Sequence, residues 1–238
     1  MATMTLDDLV GQLRDALGEA LRAVVLYGSA AGEEHHAGHS DYNVLVLVDR
    51  LTMAELGGSL SALARSWRDA GNPAPLLLTV EEWRRSGDIF PMEYSDILDR
   101  HRVLHGTPPF DGMAIAPADL RLQVEHEAMA KLLQLRTGIM SAGRDATRLR
   151  TLLAASLSTF MAIFRAVERL HGAGPGGTYE ALARAVAARA GFDATPFERV
   201  ARHRRGGDPL DDAAVVVAGY LEGIEKLVRY LDVFLTGA

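Results

Sequence analysis

The chain has 238 residues, of which 48% are apolar, 24% charged and 6% aromatic, enough apolar side chain to bury a core in one large domain or two small ones. Disorder and fibrous structure are excluded. No cysteine occurs, which removes disulfide frameworks, thiolate zinc sites and cysteine nucleophiles, and leaves any metal to His, Asp or Glu. A net charge of -6 makes a long nucleic-acid backbone an unlikely main partner and small ligands the expectation.

In chain order, the opening MATMTLDDLV lacks the basic and apolar regions of a secretory signal, so the expected location is cytoplasmic. Thr5 caps an amphipathic helix bearing Leu9, Val10, Leu13 and Leu17, which ends near Gly18. Ala23 to Tyr27 is a short apolar run stopped by Gly28-Ser29, and Asp41 to Asp49 is another; both read as strands covered on two faces. Leu56, Leu60, Leu63 and Trp67 share one face of a helix over Met53 to Ala70, closed by Gly71-Asn-Pro. A third strand spans Pro75 to Leu78, and Thr79-Val-Glu-Glu82 has the form of a capping box that opens a helix. From Pro117 onward no strand signal is found. Asp119 to Met140, Arg148 to Leu170, Thr178 to Ala190 and Asp211 to Leu235 each have helical periodicity. The longest uncharged stretch, Thr151 to Phe164, has 14 residues against the roughly 20 a bilayer span needs, so a buried helix and no membrane partner are expected. The two prolines and the glycine of Thr107 to Gly112 place a domain boundary there, giving domains 1–110 and 111–238.

The chemistry concentrates between Leu26 and Val48. A strand that ends in Gly28-Ser29 and turns into a helix presents backbone N–H groups, a hydroxyl and a positive dipole end at one point, which suits an anion. Gly28 lets a phosphate approach the backbone and Ser29 can donate to its oxygens. Asp41, opening the next strand, would stand beside that anion, an arrangement that makes sense with a bridging divalent cation. Residues 41 and 43 share one face, because side chains alternate along a strand.

Gly28-Ser29, an 11-residue linker and Asp41-Tyr42-Asn43 resemble the signature of the nucleotidyltransferase superfamily, the group of DNA polymerase beta and kanamycin nucleotidyltransferase. The resemblance covers about residues 20 to 105. It implies an α+β fold, a mixed sheet with flanking helices, followed by an all-α helical bundle. It also implies a phosphate site at Gly28 and Ser29, and Mg2+ held by Asp41, Asn43 and a third carboxylate. The partners it implies are an NTP and a small-molecule or protein acceptor. Two positions depart from the pattern. Asn43 stands at the second acidic position and offers a carbonyl oxygen without charge. The Pro75 to Leu78 strand carries no acid, so Glu81, Glu82, Asp88, Glu93 and Asp96 are the nearest substitutes, with Glu93 the candidate metal ligand.

Three features carry weaker signals. His35 and His39 would share a helical face able to bind Zn2+ or Ni2+, or as loop residues would contact phosphate, or would be exposed polar groups; the sequence leaves all three open. The stripe Leu152, Leu153, Leu157, Phe160, Met161 and Phe164 reads as core, and Gly174-Pro-Gly-Gly177 as a linker with no following Lys. Arg202 to Arg205 is a small basic cluster that reads as a solvated helix end. Two functions follow: transfer of NMP from an NTP to a hydroxyl, or a degenerate site that binds a nucleotide or partner without turnover. An antitoxin-like role is a third, disfavoured because both domains lie in one chain. Acceptor, choice of NTP and oligomeric state are not legible.

Overall fold

The computed structural model describes residues 4–31, 42–174 and 177–234. The chain divides into two compact units, Met1–Ile115 and Ala116–Ala238.

The first unit runs α1 (Leu6–Leu17), β1 (Leu21–Tyr27), a 3-10 turn (Gly28–Ala31), β2 (Asn43–Val48), α2 (Met53–Gly57), α3 (Ser59–Asp69), β3 (Leu76–Thr79), α4 (Val80–Arg85), α5 (Pro91–Asp99) and β4 (His101–Gly106). The strands form one sheet in the order β3-β2-β1-β4. β1 is antiparallel to both β2 and β4, whereas β2 and β3 are parallel, so the sheet is mixed. Alternation sorts the two central strands onto two cores. Val24, Leu26, Val44, Val46 and Val48 pack with Leu9 and Leu13 of α1 and Leu60, Leu63 and Trp67 of α3. Ala23, Val25, Leu45 and Leu47 pack on the opposite face with Trp83 of α4 and Tyr94 and Ile97 of α5. The continuous apolar runs of β1 and β2 are therefore those of strands buried on both sides.

Local chemistry fixes the element ends. Thr5, Thr52 and Thr79 each accept the backbone N–H three residues on, while the acid at that position bonds back, closing three capping boxes. The helix expected over residues 53–70 is two helices, because the backbone breaks at Gly58, where a Cβ would stand 2.6 Å from the carbonyl oxygen of Ala54. β4 is not among the expected strands, and of α9 only its end, Arg202 to Arg205, reads as helix in the sequence. β4 is His-Arg-Val-Leu-His-Gly with mostly exposed side chains, an edge strand that alternation in hydrophobicity does not mark. Gly106 ends it at φ +72°, with the space for a Cβ taken by the carbonyl oxygen of Arg22 at 1.9 Å. Only glycine fits there.

The second unit is helical throughout: α6 (Pro117–Ala142), α7 (Ala146–Leu170), α8 (Tyr179–Ala190), α9 (Thr195–Arg204) and α10 (Ala213–Val233). Its centre is α7, whose Leu153, Leu157, Phe160, Met161 and Phe164 are buried. By length and composition α7 could cross a membrane, yet half of its most apolar stretch is buried within the protein. Phe197 of α9 lies 4.2 Å from the ring of Tyr220 on α10 and 5.2 Å from that of Phe164. Charges close the periphery. Glu168, 6% exposed, takes two hydrogen bonds from Arg189, and Arg199 spans Asp208 and Asp212. Leu210, buried with φ +50°, is held in that costly conformation by its N–H to Asp208 Oδ1 at 2.9 Å. The basic cluster is likewise structural: Arg202 pairs with Glu198, Arg204 bonds Ser158, Arg205 pairs with Glu180, and His203 Nδ1 meets the Asp208 carbonyl at 2.6 Å.

Candidate functional site

β1 leaves the sheet at Tyr27, and Gly28 at φ +76° bends the chain directly into the 3-10 turn. The left-handed backbone explains the glycine. Gly28 N–H donates to the Arg100 carbonyl at 3.3 Å, which continues the pairing of β1 with β4. Its N–H is thereby used within the sheet, and the donors open to an anion are those of the residues that follow. A Cβ on Gly28 would rest 3.5 Å from Asn43 Nδ2, so the turn and the first residue of β2 are neighbours.

Register carries the geometry further. Tyr27 pairs with Asn43 on one side and with His101 on the other. Tyr27 and Asn43 have the parity of Val25, Leu45 and Leu47, so both belong to the face that α4 and α5 cover. On α5, Glu93 and Asp96 lie three residues apart and share a helical face. Burial, then the charges of Glu93 and Asp96, raise the pKa of the Tyr27 hydroxyl above the usual tyrosine range. Both carboxylates thus act on the strand end where Asn43 sits. Their helix is anchored by the Trp83 ring stacked on Tyr94 at 4.0 Å and 11°; burial of Tyr94 pushes its pKa to about 12.

The opposite face is closed. Tyr42 stacks on Trp67 at 6.2 Å, and its N–H donates to Asn72 Oδ1 at 3.2 Å. This bond aligns residue 72 with the start of β2, and the ladder pairs Leu45 with Leu76. β3 itself, Leu76–Thr79, carries no acidic residue, and neither does the segment 72–75 that leads into it.

Of the residues singled out in the sequence, Gly28 and Asn43 are brought together, and the charges of Glu93 and Asp96 on α5 are felt by Tyr27, the strand partner of Asn43. Asp41, His35, His39 and the side chain of Ser29 lie outside the described residues. Glu81 ion-pairs with Arg85 on the exposed side of α4, and Glu82 closes the Thr79 cap. Sequence reading named Asp96 but missed Tyr27. Strand parity alone marks Tyr27 as sharing a face with Val25, but the pairing of Tyr27 with Asn43 needs the register. Among the described residues no group of three or more His, Asp or Glu side chains gathers as a metal ion requires. Among the described residues, which leave out Asp41, the strand end itself offers the Asn43 amide.

Comparison with known proteins identifies the architecture. The structure is similar to that of spectinomycin adenyltransferase AAD(9) from Enterococcus faecialis, solved with ATP and spectinomycin, with a TM-score of 0.60 and 13% identity over 96% of this chain and 100% of that one. No protein-family profile and no curated protein sequence matches the chain.

Proposed function

We propose that this protein is a nucleotidyltransferase that binds an NTP at the Gly28-Ser29 turn and transfers its nucleotidyl group to a hydroxyl of a small-molecule acceptor. The observation that carries the reading is the contact of a left-handed glycine turn with Asn43 at the start of β2, within a fold like that of an adenyltransferase solved with ATP and a small-molecule acceptor. Gly28 supplies the bend, and the N–H groups after it, with the Ser29 hydroxyl, hold phosphate oxygens. Asp41 supplies the negative charge at the strand start, and Asn43 an amide oxygen beside it.

In the reaction the acceptor oxygen attacks the α-phosphorus and forms a new P–O bond, while the bond to the β-phosphate oxygen breaks and pyrophosphate leaves. The acceptor proton needs a base, and Glu93 on α5 is the carboxylate assigned to that side of the strand end. Mg2+, the cofactor the fold implies, neutralises triphosphate charge when bound. Asp41 and Asn43 would hold it, with Glu93 replacing the acid missing from β3. This donor set suits one cation rather than the paired ions of a two-metal site.

One observation favours a second reading. β2 opens on Asn43 rather than an acid and β3 carries no acid, which suits a module that binds nucleotide without turning it over. The two readings separate on incubation with each NTP, Mg2+ or Mn2+ and a panel of hydroxylated small molecules. Mass spectrometry that finds an NMP adduct and pyrophosphate supports transfer; NTP binding with neither product supports the module.

A further inference from the structure

A polar row crosses the end of the sheet. Asn43 opens β2, Tyr27 ends β1 and His101 opens β4, and the register pairs Tyr27 with both of the others. Side chains paired directly across strands stand on one face, their Cβ atoms about 4.5–5.5 Å apart, so an amide, a phenol and an imidazole lie side by side. The next row inward, Val25 with Leu45 and Val103, is wholly apolar. Tyr27 is half-buried, packed against the core that holds Val25, Leu45, Trp83 and Ile97. Its hydroxyl makes no hydrogen bond within the described residues, whereas a phenol drawn out of water as a rule finds a partner. The group is therefore a donor left open at the strand end.

The next residue in the chain is Gly28, and the space for its Cβ lies 3.5 Å from Asn43 Nδ2, so the turn and the row adjoin. An anion seated at the turn is also seated at the row. Phosphate oxygens accept hydrogen bonds, and the ionised carboxylates of Glu93 and Asp96, whose charges reach the Tyr27 hydroxyl, accept as well. Of these three side chains only the phenol offers a phosphate a proton. We propose that Tyr27 is a further nucleotide-binding residue, its hydroxyl donating a hydrogen bond to a phosphate oxygen of the NTP held at the Gly28-Ser29 turn. This rests on the reading of that turn as a phosphate site and adds to its backbone donors a neutral side-chain donor from β1. Such a donor holds phosphate without a charge of its own, at a strand end where Asn43 stands in place of an acid.

The test is calorimetric titration of the full chain with ATP, GTP, CTP and UTP in Mg2+, beside Tyr27→Phe, which keeps the packed ring and removes only the hydroxyl. The variant should bind the preferred NTP about 3- to 10-fold more weakly, with circular dichroism and melting temperature unchanged. Equal affinity in the folded variant overturns the proposal and leaves the turn as the phosphate site; an original chain that binds none of these nucleotides overturns both. A second measurement keeps the hydroxyl in place. With 3-fluorotyrosine incorporated at position 27 alone, the 19F resonance should move on addition of inorganic tripolyphosphate with Mg2+ and stay in place with adenosine. A resonance that tripolyphosphate leaves unmoved, or that adenosine moves as far, also overturns the assignment.

Discussion

Gly28 and Asn43 show how much a single position reveals. Gly28 has room for a methyl group, since a Cβ would make only an ordinary 3.5 Å contact; what excludes other residues is φ +76°. Gly28→Ala should accordingly cost about 1–2 kcal/mol of stability through backbone strain, measured by denaturant unfolding, and should remove NTP binding by changing the path of the turn. Gly106 obeys a harsher constraint, with positive φ and a carbonyl oxygen in the Cβ position. Gly106→Ala should destabilise by roughly 2–4 kcal/mol and leave nucleotide affinity unchanged in the fraction that folds. At Asn43 the missing charge is the point: Asn43→Asp should strengthen Mn2+ binding in a calorimetric titration. The motif itself was legible because glycine, serine and aspartate are recognisable by type. The place of Tyr27 was not, because it comes from strand pairing and from a helix laid across the sheet, contacts between residues distant in sequence.

At the scale of elements, legibility follows the strength of the local signal. α1, α4 and the long helices of the second unit announce themselves by caps and apolar spacing, and the Thr79 box was readable from four residues. Thr79→Ala should cost about 1 kcal/mol and loosen the start of α4, read as faster amide exchange at its first turn. β4 escaped notice because an edge strand with exposed side chains lacks alternation, and the break at Gly58 because a glycine inside a periodic run is usually tolerated. The loop between α9 and α10 depends on charge. Hydrogen bonds from Arg199 hold the Asp208 carboxyl below its ordinary range, and the same carboxylate fixes Leu210. A depressed carboxyl pKa adds stability that is present above the unfolded value of about 3.9 and is lost as pH falls through the folded value. The second unit should therefore weaken below about pH 4, and Asp208→Asn should flatten that acid limb in thermal melts taken across pH.

For the whole molecule, the likeness to an adenyltransferase spans nearly the full length of both chains, and at 13% identity it speaks to fold. The proposed activity rests on the strand end, where the Gly28 turn adjoins Asn43 rather than an acid. That combination predicts a protein in which nucleotide binding outlasts efficient transfer. The direct measurement is calorimetric titration of the folded chain with each NTP in Mg2+, repeated on Gly28→Ala. The account predicts saturable binding of at least one NTP that the variant loses while its circular dichroism is retained; a folded protein that binds no NTP, or a folded variant that binds as tightly as the original, would contradict it.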